Sequence, residues 1–438
     1  MRSRRPPRGE ALEGECSPNV AYVMTHYPRT ALTFIALEIR ELERAGGHVT
    51  PIAVNAPTEE DLASDEAQRA SRATSYLKAQ GPLALVTSLV RTWLRHPIEM
   101  MALGRLAVTS ARFDLPLVAR RLVHLAYACW SWNAVADRGV RHFHAHFGQT
   151  PATVAWFAAS IGSFSSGDSC TWSFTIHGFQ DFADERVSRL DLKVKSASFV
   201  VCVSDFTRAQ LCRVTDPATW DRYKVVRCGI DLDAFPFRPP STSGRRPRIV
   251  TVARLSPEKG HLVLLAALRD VIDQGVDVDL RIIGDGPSAS LIETTAARLG
   301  LEDRVTIVGE LEPRQVSEEL ADADLFCLPS FAEGIPISIM EAMAVGLPVV
   351  TTFVGGIPEL AVDNETALVV PAGNRDEMAR AIRLLVEDEE LRNRLAKAAQ
   401  QLVRERHDLR PNVGILRELF TTLPTTGSRP STHVMERR

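Results

Sequence analysis

Long apolar runs are missing from these 438 residues: no stretch of eighteen or more occurs, so no membrane-spanning helix is expected. The basic start, Met1 to Glu10, leads into no apolar segment, which argues against a signal peptide. Cysteine is sparse. The seven, at positions 16, 129, 170, 202, 212, 228 and 327, are odd in number, scattered and never spaced C-x-x-C. Free, mostly buried thiols fit better than disulfides or a zinc site. These absences predict a cytoplasmic protein. No nucleic-acid-binding motif accompanies the basic residues, so nucleic acid is not an expected partner.

What is present suits a large globule. With 45% hydrophobic residues, the chain is long enough for two α/β domains of about 200 residues, each with its own core. Charge divides unevenly: residues 1–247 hold 30 Lys and Arg against 24 Asp and Glu, and residues 248–438 hold 21 against 30. The basic bias concentrates at Arg91, Arg95, Arg105, Arg112, Arg120, Arg121, Arg138 and Arg141, among Leu, Val, Met and Trp at helical spacing. Such basic amphipathic helices either pack on a core with Arg on the wet side or dock on anionic lipid.

The opening reads strand, loop, helix, strand: residues 19–25, then His26, Tyr27, Pro28 and Arg29, a helix over 32–45 ending at Gly46-Gly47, and a strand over 49–54. This βαβ unit predicts a Rossmann-like first domain over 19–235, after a disordered 1–18. Residues 55–80 read as a polar, mobile connection. Further strands end at His144 and His146, at His177, at Ser204 and at Gly229. The paired His144 and His146 raise the thought of a metal, but no third ligand is visible in the sequence, so none is expected. Residues 236–247 are rich in Pro, Ser and Gly and predict an interdomain linker.

The second half repeats a pattern of strand, glycine turn and helix. A β-branched strand from 248 leads to Arg254 and Lys259; residues 280–283 lead to Gly284 and Gly286; residues 325–328 lead through Glu333 to a helix over 337–345; and residues 348–354 lead to Gly355 and Gly356. The amides around Gly334, Ile335, Pro336, Ile337 and Ser338 would form a helix N-terminus attractive to a diphosphate. Glu333 beside it can accept from sugar hydroxyls, and Glu341 can hold a ribose. Taken alone, the two carboxylates also fit a solvated loop glutamate and a capping one.

Together these fragments are similar to the nucleotide-binding half of the retaining family-4 glycosyltransferases, which have the two-domain GT-B fold. Glu333 and Glu341 fill the E-x7-E motif, Arg254 and Lys259 match the donor-phosphate cations, and Gly284 and Gly286 match the second donor-side turn. The resemblance implies an α/β chain of two Rossmann-like domains facing across a cleft. The donor domain would span 248–410, followed by a terminal helix and disordered tail over 411–438. It further implies a nucleotide diphosphate-sugar donor, UDP being the commonest, with retention, no metal and no cofactor.

Tyr27-Pro28 and Thr33-Phe34-Ile35 resemble, more loosely, the opening of family members that build bacterial exopolysaccharides. That implies a glycan or lipid-linked acceptor at the inner membrane face, with His26, Tyr27, Arg29, His144 and His146 on the acceptor side. His177 would face the donor sugar across the cleft, or else be a strand-end histidine. Asp322 and Asp324 mimic a metal-binding D-x-D but read as helix-ending carboxylates. No side chain stands as a covalent nucleophile, so front-face attack is expected. The rivals are a silent nucleotide-sugar-binding scaffold subunit and a nucleotide-sugar epimerase; a phosphorylase would need a pyridoxal-phosphate lysine that is not found.

Overall fold

The computed structural model describes residues 17–29, 32–238 and 245–423. The expected disordered N-terminus up to residue 16, linker residues 239–244 and the tail from 424 lie outside the described residues.

Two parallel sheets organise the chain. The first contains β1 (Asn19–His26), β2 (His48–Asn55), β3 (Ser75–Tyr76), β4 (His142–His146), β5 (Thr171–Ile176), β6 (Phe199–Cys202) and β7 (Tyr223–Val225), in the order β3-β2-β1-β4-β5-β6-β7. The second contains β8 (Arg248–Val252), β9 (Asp279–Ile283), β10 (Val305–Gly309), β11 (Leu325–Leu328), β12 (Val349–Thr352) and β13 (Leu368–Val370), in the order β10-β9-β8-β11-β12-β13. Helices cover both faces of such sheets, so their inner strands read as unbroken apolar runs, as in β11, where all four residues are buried. In each sheet the order reverses beside the first strand, β1 or β8. The crevice beyond the strand ends at such a reversal is where α/β proteins take ligands.

The two bodies are stitched together twice. The terminal helix Leu409–Thr421 returns to the first body, where Leu409, Val413, Leu416 and Phe420 pack with Val20, Tyr22 and Ile35. In the other direction, Val203, Ile230 and Phe235 join the core around Ile335, Met340 and Leu347. A polar strut adds to this: the Asp205 and Phe206 amides donate to Glu359 at 2.9 and 2.7 Å, while Arg227 donates to Asp205 and Glu359.

Two expectations need correcting. The mobile connection expected over 55–80 carries a helix at Asp65–Ala73, capped by Ser64 accepting from the Ala67 amide, and the edge strand β3. Tyr76 fastens it by donating to the Ser71 hydroxyl at 2.9 Å and the Tyr27 carbonyl at 3.2 Å. Arg121, counted among solvent-facing arginines, is buried; its guanidinium donates to Thr153 and the Val187 carbonyl, because an enclosed cation must have every N–H it can satisfied. Among the described cysteines, Cys129, Cys170, Cys202 and Cys327 are buried free thiols.

Candidate functional site

The second sheet builds the side where the sequence places the donor. The turn after β8 and the turn after β9 lie backbone on backbone: a Cβ on Gly284 would come 2.0 Å from the Ala253 carbonyl oxygen, and one on Gly286 2.4 Å from that of Leu255. Both glycines have positive φ, 134° and 157°, so bare backbone is required twice over. That packing leaves Arg254 exposed, with no ion-pair partner among the described residues. Gly260, at φ 69°, lets the next turn pass against Pro329 and brings Lys259 over the loop after β11.

There Lys259 Nζ donates to Glu333 Oε1 at 2.6 Å, and the Ser330 hydroxyl donates to the same oxygen at 2.6 Å. Glu333 is buried, and its Oε2 has no partner among the described residues. The helix Ile337–Val345 starts at Pro336 with no side-chain cap, so its first amides point outward unsatisfied. Gly346, at φ 99°, stops it. Glu341 lies one turn in and is partly exposed, with no hydrogen bond or ion pair among the described residues. The surrounding protein pushes its carboxyl up to about 8, since burial penalises the charged form. A cation, a helix N-terminus and an unpaired carboxyl thus converge at the second sheet's reversal point.

The first sheet supplies the opposite wall. His177 follows β5, its ring packed against Phe34 and Phe147 at centroid distances of 4.9 and 4.5 Å. Its carbonyl meets the donor loop: a Cβ on Gly334 would come 1.9 Å from His177 O. Gly355 and Gly356 press on the loop's other side, where added Cβ atoms would come 2.0 Å from the Glu333 and Gly334 carbonyl oxygens. His177 thus lies against the loop at Gly334 through backbone contact. Burial lowers its pKa well below the usual histidine range, with His146 adding to the effect.

Sequence reasoning missed the residue that holds this wall. Asp181 is buried and accepts from the amides of Gly148 (2.7 Å), His177 (2.9 Å) and Gly178 (3.3 Å). Burial raises its carboxyl to about 6 against the opposing pull of those amides. Lys193, wholly enclosed, donates to the Gly148 and Gln149 carbonyls beside it. No local motif marks either residue, since their partners are backbone groups that any sequence provides, Gly148 lying 33 positions from Asp181 and 45 from Lys193.

The acceptor-side expectations divide. His26 and Arg29 are partly exposed at the end of β1, whereas Tyr27 is buried. His144 and His146 have no exposure at all, so direct contact with an acceptor is unavailable to them; they point inward because alternate residues of β4 face one side of the sheet. The ligating atoms of Glu38, His144 and His146 lie within 4.8 Å of one another, a spacing that would fit a metal. Hydrogen bonds already engage them: His144 meets Ser173 and Thr175, and His146 meets His177. Asp322 and Asp324 pair with Arg245 and Arg248 at the opposite end of the second sheet, far from the donor loop.

Residues 236–402 match the family model "Glycosyl transferases group 1". The chain is 34% identical over 229 residues to the Escherichia coli protein named WcaL, a colanic acid biosynthesis glycosyltransferase, covering 50% of this chain and 55% of that one. It is 36% identical over 175 residues to AmsK of Erwinia amylovora, named as an amylovoran biosynthesis glycosyltransferase, covering 39% and 43%. The chain thus spans about half the length of these curated relatives. In fold it is similar to HepE of Anabaena, solved with UDP and glucose: TM-score 0.69, 19% identity, 93% of this chain and 100% of that one covered. The chain carries a glycosyltransferase group 1 domain, set in a GT-B frame of two Rossmann-like bodies.

Proposed function

We propose that this protein is a glycosyltransferase that moves a sugar, with retention, from a nucleotide diphosphate-sugar, a UDP-sugar first, to a glycan or lipid-linked acceptor in exopolysaccharide synthesis. The observation that carries the reading is the set at the donor loop that is unpaired among the described residues: Arg254 without an ion pair, a helix N-terminus without a side-chain cap and Glu341 without a hydrogen bond or ion pair. WcaL, AmsK and HepE, by their names, support the pathway and the base.

In this reading Glu341 accepts from the ribose hydroxyls, and Glu333 Oε2 accepts from a sugar hydroxyl. Arg254, Lys259 and the amides from Gly334 to Ser338 stabilise the departing diphosphate. Fixed cations and amides in a closed cleft do this without reorganising, so they favour the transition state over the ground state. They also supply the positive charge that a metal would otherwise bring, and we propose that no resident metal or cofactor is used. The bond from the anomeric carbon to the diphosphate oxygen breaks as the acceptor oxygen attacks from the same face. The acceptor's proton passes to the leaving phosphate oxygen.

The acceptor side also has a surface suited to anionic lipid. The helices Gly81–Arg95, Pro97–Ser110 and Leu115–Val135 expose Leu83, Leu94, Ile98 and Leu115 beside the exposed Arg91, Arg95, Arg105 and Arg112. Among the described residues no helix is long and apolar enough to cross a membrane. We propose a protein that works at the inner membrane face, lying on it rather than in it.

Thermal stabilisation across UDP, GDP, ADP and their sugars tests the donor reading, because a ligand that binds only the folded state raises its stability. A shift with one base that disappears in Glu341→Ala supports it. No shift with any member overturns it in favour of a silent scaffold, and a glycosyl adduct trapped on Glu333 would overturn front-face attack.

A further inference from the structure

A row of four side chains runs from the core of the first body to the cleft. Tyr22 OH donates to Glu38 Oε1 at 2.7 Å, His146 Nε2 lies 3.4 Å from the same oxygen, and His146 Nδ1 lies 3.0 Å from His177 Nε2. His146 is fully enclosed. His144, its neighbour on β4, does not compete, since both of its nitrogens face hydroxyls of β5. His177 Nδ1 has no partner among the described residues.

A neutral imidazole carries one N–H and one lone pair, so the group facing one nitrogen decides what the other can do. Burial keeps the Tyr22 phenol protonated and His177 neutral. Among the described residues His146 Nε2 makes no full hydrogen bond, but 3.4 Å from the Glu38 oxygen that accepts from Tyr22 an N–H is attracted and a lone pair repelled. That contact favours His146 with its proton on Nε2 and a lone pair at Nδ1, to which His177 Nε2 donates at 3.0 Å. The favoured tautomer of His177 then has an unprotonated Nδ1.

We infer that Glu38 and His146 are positioning residues that fix His177 as the Nε2–H tautomer, so that its Nδ1 accepts a hydrogen bond from a hydroxyl of the donor sugar. The second half of this statement rests on the reading above, in which His177 faces the sugar. It makes the site selective: a donor whose hydroxyl at that position is replaced by hydrogen or an ether leaves Nδ1 unpaired in a closed cleft, whereas one that presents a hydroxyl satisfies it.

Long-range 1H–15N correlation spectra of the uniformly labelled full chain, with His177 assigned through His177→Gln, read the tautomer without any donor. The expected result is one Nε2–H form in the wild type and a mixture in Glu38→Leu. Nucleotide release from UDP-glucose, UDP-galactose and GDP-mannose should fall roughly 10- to 100-fold in Glu38→Leu and His146→Leu. His146→Asn, whose carbonyl can still accept from His177 Nε2, should recover at least about fivefold over His146→Leu. A wild-type spectrum showing His177 as the Nδ1–H form overturns the inference, even if Glu38→Leu fails to fold. An unchanged tautomer with turnover within twofold in a folded Glu38→Leu overturns it too. If the tautomer is as inferred but His177→Gln turns over at the wild-type rate, the relay stands and the sugar-facing role of His177 falls.

Discussion

Lys259 Nζ sits 2.6 Å from Glu333 Oε1, joining the turn after β8 to the loop after β11 across 74 positions of sequence. Both groups are largely enclosed, with side-chain exposures of 21% and 8%. The pair therefore fixes the geometry of the donor loop before any ligand arrives. It also engages only one oxygen of Glu333, leaving the second without a partner among the described residues.

Lys259→Ala removes a cation from the diphosphate and leaves a buried carboxylate with only the Ser330 hydroxyl. Breaking one side of a buried pair typically costs about 3–5 kcal/mol, at the lower end here because Lys259 keeps some water contact. Turnover should fall at least about 100-fold, the scale for losing one preorganised group on developing charge. Glu333→Gln keeps the shape and should lose turnover with little change in melting temperature. Steady-state kinetics and thermal melts of the two variants check this; full activity in both would dismantle the assignment.

Glu341 links pH to stability. Its carboxyl titrates at about 8 instead of 4.5, so the folded chain holds this proton more tightly than the unfolded chain. The stability it contributes is complete below about pH 4.5 and is lost as pH rises through about 8. Glu341→Gln cannot ionise, so its melting temperature should exceed that of the wild type by a margin that widens from pH 5 to pH 8.5. A margin that stays constant would refute the shift. If ribose hydroxyls prefer the carboxylate, UDP affinity should also rise over the upper part of this range in the wild type and stay flat in the variant.

How far this could be read from sequence depended on whether the deciding partner was local. The strand Leu325–Leu328 and the helix Ile337–Val345 stand where apolar runs, Pro329 and Gly346 predict them. Glu333, Glu341, Arg254 and Lys259 could be picked out because motif spacing keeps their chemistry within short fragments. The burial of His144 and His146 could not, because the alternation in His142–His146 shows that the histidines share a face but not that Tyr22, Phe199 and Phe420, from distant segments, cover it. Asp181 and Glu38 were invisible for another reason: each acts on a group more than thirty positions away or on backbone amides that any sequence provides. The polarity of 55–80 concealed the helix that Ser64 caps.

Gly334 separates close packing from mere flexibility. An alanine there would place Cβ 1.9 Å from the His177 carbonyl oxygen, with backbone rather than a movable side chain in the way. Gly334→Ala should therefore push the two walls apart and reduce turnover at least about 100-fold, since small misplacements of reacting groups have costs on that scale. Gly104, in the middle of Pro97–Ser110, meets nothing within 4 Å, and Gly104→Ala should gain up to about 1 kcal/mol from helix propensity. Equal activity in the two variants would show that the loop and His177 need not touch.

The exposed surface on the first body makes a charge argument that can be separated from the apolar one. Leu83, Leu94, Ile98 and Leu115 keep 76%, 75%, 74% and 79% of their surface exposed, an unusual concentration for a face meant only for water. Arg91, Arg95 and Arg105 flank them, and each cation near an anionic surface contributes about 1 kcal/mol. Replacing those three by Ala should weaken retention on vesicles containing phosphatidylglycerol by about two orders of magnitude at low salt, and the loss should shrink at high salt, where the charges are screened. Leu83→Glu with Leu94→Glu and Ile98→Glu should abolish retention at any salt while leaving the nucleotide thermal shift intact, because no donor residue lies on these helices. Retention of that triple variant at wild-type strength would show that lipid is not what this face meets.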